Sequence, residues 1–390
     1  MTRYLDHAAT TPIHPQVAEA MAARLGVVGN PSSVHAAGRE ARRVVEESRE
    51  RLAAAVGAHP TEVVWTSGGT EADNLAIKGL WWARHAADPR RTRVLVSAVE
   101  HHAVLDPARW LASQGAEVVE LPVHDDGRLD LAALDAELAA HGDRVAVVSV
   151  MWANNEIGTI QPVADVVARA HAWGVPVHTD AVQAVGHLPV DLAAVRADAV
   201  SLTAHKLGGP VGVGALVVRR GLDLVPVLHG GGQERSVRSG TLDVVGVAGF
   251  ALAAELAVSD LPAQTARLAG LRDALLAGVR DLVPDAVLRG PDPASGLRVP
   301  HNLHLTFPGC EGDSLIYLMD SHGVACSTGS ACTAGVAQPS HVLLACGVEE
   351  VDARGALRFS FGRTSTPGDV EAVLAALPDV VTRARAAGMA

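Results

Sequence analysis

Val145-Ala-Val-Val-Ser-Val150 is a short apolar, β-branched run; a helical pattern follows over Pro162 to Trp173, and a second such run, Val175-Pro-Val-His178, comes next. Strand, helix and strand in that order, with strands too apolar to face water on either side, predict a parallel crossover unit buried on both faces. The same rhythm extends outward in both directions. Val63-Val-Trp-Thr66, Val94-Leu-Val-Ser97 and Val118-Val-Glu-Leu121 precede the unit, Ala199-Val-Ser-Leu202 and Gly214-Ala-Leu-Val-Val218 follow it, and Asn74 to Arg84 reads as another helix. Seven strands between about Thr61 and Arg219 therefore predict an α/β fold with a mostly parallel seven-stranded sheet.

After about Phe250 the pattern changes. One long helical stretch runs from Leu252 to Val283, strands are expected at Asn302 to Phe307 and Leu357 to Ser360, and helices at Ser314 to Ser321 and Pro367 to Ala386. This reads as a smaller α+β domain. Residues 14–252 form the large domain, and residues 1–13 join residues 253–390 in the small one.

The chain's 390 residues, 48% of them hydrophobic, can bury more than one core, which excludes general disorder. Lys and Arg number 32 against 43 Asp and Glu, a formal net charge of −11 with no long basic run, so no direct nucleic-acid partner is expected. The amino terminus lacks the apolar core of a signal peptide, and no apolar stretch approaches the ~18 residues of a membrane span. A cytoplasmic protein without membrane contact is the expectation. Four cysteines, Cys310, Cys326, Cys332 and Cys346, are too few for a disulfide scaffold. Only two lysines occur, Lys78 and Lys206, the other 30 of the 32 basic residues being arginine. A lysine retained in so arginine-rich a chain is expected to be needed as an amine.

Ligands of parallel α/β sheets bind beyond the carboxyl ends of the strands, and those ends carry chemistry here. Ser67-Gly-Gly-Thr70 lies between strand and helix, where glycines and the N–H groups of a helix start can cradle a phosphate; an ordinary tight turn is the alternative. It has neither a Walker lysine nor a GxGxxG spacing, so a nucleoside triphosphate or a dinucleotide is not indicated. Asp180 is either the cap of a following helix or a buried carboxylate awaiting a cation such as a protonated pyridine nitrogen. Lys206 closes Asp198-Ala-Val-Ser-Leu-Thr-Ala-His-Lys206, and the glycines of Leu207-Gly-Gly-Pro-Val-Gly-Val-Gly214 leave room for a flat ring. A desolvated amine there suits a Schiff base; a plain ion pair is the alternative.

His101 and His102 follow a strand, where adjacent side chains face opposite ways, so no metal is expected. One of them is read as an acid/base group stacked on a ring, or else as a hydrogen-bonded core histidine. Cys332 sits in Cys326-Ser-Thr-Gly-Ser-Ala-Cys-Thr-Ala-Gly335, a small-residue loop of about residues 325–338 in which a thiol can act as a nucleophile. Cys346, in Val342-Leu-Leu-Ala-Cys-Gly347, reads as a helical spacer.

With Gly29-Asn-Pro-Ser-Ser33, Asn154-Asn-Glu-Ile-Gly158, Asp180-Ala-Val-Gln183, His229-Gly-Gly-Gly-Gln-Glu-Arg235, Arg238-Ser-Gly-Thr241 and Leu357-Arg-Phe-Ser-Phe-Gly-Arg363, these motifs resemble the NifS/IscS-type cysteine desulfurases. That family belongs to the class V aminotransferases of pyridoxal-phosphate fold type I, and the resemblance covers essentially the whole chain. It implies pyridoxal 5'-phosphate held by Lys206 as a Schiff base, Asp180 on the pyridine nitrogen, and His101 stacked on the ring and shuttling protons. Gly69, Thr70, Thr203 and His205 would hold the phosphate, with Thr241 reaching it from the second subunit of a homodimer. Asn155 and Gln183 would address the ring hydroxyl and the substrate, and Arg358, with Asn30 nearby, the substrate carboxylate. The implied reaction takes sulfur from L-cysteine as a persulfide on Cys332 and releases L-alanine. Sulfur then passes to an acceptor protein, an iron-sulfur scaffold or a thiolation enzyme. A selenocysteine lyase or another fold type I enzyme would use the same pocket, but the loop cysteine favours desulfuration.

Overall fold

A computed structural model describes residues 2–329 and 339–388. Its largest sheet has seven strands in the spatial order Val63–Thr66, Gly214–Val218, Ala199–Thr203, Val177–Asp180, Val145–Ser149, Arg93–Ser97 and Glu117–Leu121. The last five run parallel to one another, while Gly214–Val218 is antiparallel to both of its neighbours. This is the mostly parallel seven-stranded sheet that the alternation of short apolar runs predicts.

Side chains that alternate along a strand fall on opposite faces, and here both faces are buried. Val63 and Trp65 pack with Leu95, Val148, Val200 and Leu202 on one side, whereas Val64 packs with Val94, Val96, Val147 and Leu216 on the other. Helices seal each face. In Val163–His171, for example, the spacing of Val163, Val166, Val167 and Ala170 gives one buried stripe. Burial on both faces leaves a ligand only the ends of the strands.

A second core forms around Leu5, Leu275, Phe307, Leu357, Phe359 and Phe361. It lies against a three-stranded antiparallel sheet of Val287–Leu288, Asn302–Thr306 and Ala356–Ser360. The amino-terminal segment belongs to this packing: Arg3–Tyr4 pairs in parallel with Val324–Ala325, and the Ser360 N–H donates to Leu5 O at 2.7 Å.

Two elements differ from the sequence reading. The single helical stretch from Leu252 to Val283 is two helices, Val244–Ser259 and Leu261–Leu282, bent by 73°. Pro262 lies in the first turn of the second helix, where its missing N–H costs nothing, and it cannot continue the first. The strand expected at Val175 to His178 is Val177–Asp180, because Pro176 has no N–H for a ladder bond. No single helix among the described residues is long and apolar enough to cross a membrane.

Candidate active site

A cavity of about 360 Å³ opens beyond the carboxyl ends of the parallel strands. Gly69, Thr70, His101, Asn155, Asp180, Gln183, Thr203, His205, Lys206 and Arg358 all line it. Ten residues singled out at separate strand ends and loops thus share one space. Asn30 and Thr241 do not line it and are exposed. Cys332, with the rest of residues 330–338, lies outside the described residues.

The turn Ser67–Gly68 feeds the helix Gly69–Ala87, which no side chain caps, so the first N–H groups of the helix remain available to an anion. Gly68 has φ +156°, and a Cβ on Gly214 would sit 2.6 Å from the Gly68 carbonyl carbon. Glycine at 214 lets the start of the strand Gly214–Val218 pass this close to the turn, and glycine at 68 permits the turn's positive φ.

Asp180 ends its strand at 5% exposure, and its Oδ1 accepts the Val182 N–H at 2.8 Å. No helix begins after it, which removes the helix-capping alternative. Burial, reinforced by the neighbouring carboxylate of Asp73, pushes the Asp180 carboxyl up to about 7. Lys206 follows the next strand, and its amine is lowered to about 8, chiefly by burial, with Asp180 pulling the other way. A buried acid and a desolvated amine on one cavity fit a ligand that carries a ring cation and a carbonyl. The uncapped helix start fits that ligand's phosphate.

His101 is the N-cap of helix His102–Leu111, and its Nδ1 accepts the Ala103 N–H at 3.1 Å. Burial, with Lys206 nearby, lowers its pKa to about 4, so the ring is neutral at pH 7 and carries its proton on Nε2. His102 pairs instead with Asp106 at 3.1 Å. Arg358, on Ala356–Ser360, donates from Nη1 to Asn155 O at 2.9 Å and from Nη2 to Asp6 Oδ1 at 2.7 Å. Its Nε is buried and has no hydrogen-bond partner among the described residues. Gln183 donates to Ala8 O at 2.9 Å, and His205 Nδ1 lies 3.2 Å from Thr10 Oγ1. Both contacts fasten the amino-terminal segment to the cavity wall.

Sequence reasoning missed Asp73, Glu156, His341 and the pair Ala8 and Ala9, which also line the cavity. Glu156 stands inside the motif quoted for Asn155, and Asp73 just before the helix read from Asn74; the only signal at either was an acidic residue where burial was expected. His341 and the amino-terminal alanines carry no local signal.

The model of the family described as Aminotransferase class-V matches residues 3–373. The IscS-like cysteine desulfurase of Mycobacterium tuberculosis (strain ATCC 25618 / H37Rv) is 55% identical over 388 residues, covering 99% of this chain and 98% of that protein. A solved NifS-like protein superposes with a TM-score of 0.90 at 34% identity, covering 98% of this chain and 100% of that one. A structure described as SspA in complex with cysteine gives 0.78 at 31% identity, covering 92% and 99%.

Proposed function

We propose, since the chain belongs to the class-V aminotransferase family, that it is a pyridoxal-phosphate-dependent cysteine desulfurase, which takes sulfur from L-cysteine and releases L-alanine. The observation that carries this reading is the pairing of a buried Asp180 with a desolvated Lys206 on one cavity, beneath an uncapped helix start. Lys206 would hold the cofactor's aldehyde carbon, Asp180 its ring nitrogen, His101 its ring face, and Gly69, Thr70, Thr203 and His205 its phosphate. When bound, the cofactor supplies an electron sink for the substrate's Cα.

The chain's own groups do the rest. Arg358 spends two of its five N–H donors on Asp6 and Asn155, which leaves one N–H on each terminal nitrogen for a substrate carboxylate. Asn155, Gln183 and Asn30 would assist in orienting substrate and ring. Neutral His101 holds its proton at Nε2, where it can be given to a departing group and recovered. The sulfur acceptor is the Cys332 thiolate: it forms an S–S bond as the substrate's C–S bond breaks, so that L-cysteine and a thiol become L-alanine and a persulfide. The three described cysteines suit that role poorly, because burial raises each thiol pKa, to about 12 for Cys326 and Cys346.

The persulfide would then pass to a protein acceptor, an iron-sulfur scaffold or a thiolation enzyme, in the cytoplasm. Thr241, exposed in one chain, would complete the phosphate site of a second copy in a homodimer. The domain division at residues 14–252 against 1–13 with 253–390 belongs to the same reading, and the separate core around Leu5 and Phe359 supports it. Purified protein reconstituted with pyridoxal 5'-phosphate should convert L-cysteine to L-alanine and carry 32 additional mass units, one sulfur, on Cys332. Absence of alanine from the reconstituted protein would sink the assignment.

A further inference from the structure

Glu156 lines the cavity at 3% exposure and has no part in the chemistry above. Its Oε2 accepts from Ser340 Oγ at 2.5 Å, although 184 residues separate the two. Ser340 is itself the N-cap of helix His341–Ala345, with its Oγ accepting the Leu343 N–H at 3.1 Å. The next residue, His341, sets its Nε2 2.9 Å from Glu100 O and its ring edge-on to His102, with centroids 5.0 Å apart. Residues 340 and 341 are therefore fastened to the two turns that present Asn155 and His101 to the cavity.

The far side of the same glutamate meets the chain again. Ser327 exchanges backbone hydrogen bonds with Arg358, at 2.6 and 3.2 Å, and Ser327 and Gly329 line the cavity. A Cβ on Gly329 would lie 3.5 Å from Glu156 Cβ and 3.2 Å from His304 Nε2. Glu156 is rigid enough to serve as a reference point. Asn154 Oδ1 accepts the Glu156 N–H at 2.8 Å, and Asn302 Nδ2 donates to Glu156 O at 2.9 Å. Burial pushes its carboxyl upward, while Ser340, His341 and Arg358 oppose that shift.

We propose that Glu156 is a positioning residue for sulfur transfer: through its hydrogen bond to Ser340 it fixes the chain just after the Cys332-containing segment to the turn that presents Asn155 to the cavity. The inference rests on the reading of Cys332 as the sulfur acceptor. The group acts through Ser340 and touches neither sulfur nor Cα. Its removal should therefore slow transfer without weakening substrate capture.

The test compares Glu156→Ala, Glu156→Gln and Ser340→Ala in the cofactor-loaded enzyme. L-cysteine binding is read from the visible spectrum, and single-turnover alanine formation from quenched samples. Glu156→Ala and Ser340→Ala should each slow alanine formation by about tenfold, the upper end for losing one intramolecular hydrogen bond, while spectral binding stays within about twofold. Glu156→Gln keeps an acceptor for the serine hydroxyl and should stay within about threefold of the parent rate. The double variant Glu156→Ala/Ser340→Ala should be no slower than the slower single one, as for two ends of one bond.

Parent-like rates in both alanine variants, or additive losses in the double variant, would overturn the inference. So would equal loss of binding and rate. Should Glu156→Ala fail to fold, Ser340→Ala decides alone. A parent enzyme that makes alanine with no sulfur on Cys332 sinks the Cys332 reading and this inference with it, whereas a sulfur-loaded Cys332 with an unaffected Ser340→Ala sinks only the inference.

Discussion

The guanidinium of Arg358 meets the carboxylate of Asp6 at 2.7 Å, across 352 residues of sequence, on the wall of the cavity. The pair is buried at the arginine, 4% exposed, and it aims a planar fork instead of leaving a free charge. A lysine could satisfy Asp6 or a substrate carboxylate, but one ammonium cannot hold both in a bidentate arrangement. Arg358→Lys should therefore raise the KM for L-cysteine at least roughly tenfold while leaving the resting visible spectrum intact. Steady-state kinetics check this, and an unchanged KM would move the role to another arginine, with exposed Arg363, five residues further on, the first candidate.

Cys326 and Cys332 lie six residues apart in the sequence, and burial counts against Cys326 as the nucleophile. The Cys326 thiol is pushed up to about 12, mainly by burial and further by Asp6, so at pH 8 only roughly one molecule in ten thousand is a thiolate. Cys326→Ser should retain alanine production within about twofold. Cys332→Ser should still bind L-cysteine, as read from the spectrum, and make almost no alanine. The reverse pattern would identify Cys326 as the sulfur acceptor.

The sheet was legible because each strand is a short β-branched run, and the catalytic candidates because they stand at the ends of those runs. Two things were hidden. Pro176 and Pro262 moved element ends by removing N–H donors inside otherwise continuous apolar patterns, which periodicity alone does not register. The partners Asp6 and Ser340 were hidden by distance along the chain, since a pair such as Asp6 and Arg358 leaves no local trace at either end. Lys206, by contrast, stood out from a property of the whole sequence: the scarcity of lysine.

His101 should remain uncharged well below neutrality. Burial disfavours the imidazolium and the nearby Lys206 repels it, so the pKa falls from 6.5 to about 4. Above that value the ring is neutral, with Nδ1 occupied by the Ala103 N–H and the proton on Nε2. In the apoprotein, the ring signal that disappears in His101→Gln should titrate with a midpoint near 4. A midpoint near 6.5 would mean that the ring is solvated and half charged at that pH, and it could not then serve as the proton carrier assigned here.

Lys206 should take up cofactor fastest above about pH 8. The neutral amine is the nucleophile, and lowering its pKa from 10.5 to about 8 raises the neutral fraction at pH 7 to roughly one in ten, against roughly three in ten thousand for an ordinary lysine. Uptake of pyridoxal 5'-phosphate by the apoprotein, followed by visible absorbance, should therefore rise with pH through a midpoint near 8. Asp180 favours the charged amine and Asp73 acts in the same sense, so Asp180→Asn should move that midpoint downward even as it weakens the final complex. Borohydride treatment of the loaded protein should fix the cofactor on Lys206. Lys78, only partly buried and lying over the Trp110 ring at 4.5 Å, should stay unlabelled. Label on Lys78, or an uptake midpoint near the ordinary lysine value, would show that the cavity does not desolvate Lys206 and would withdraw the basis for its role.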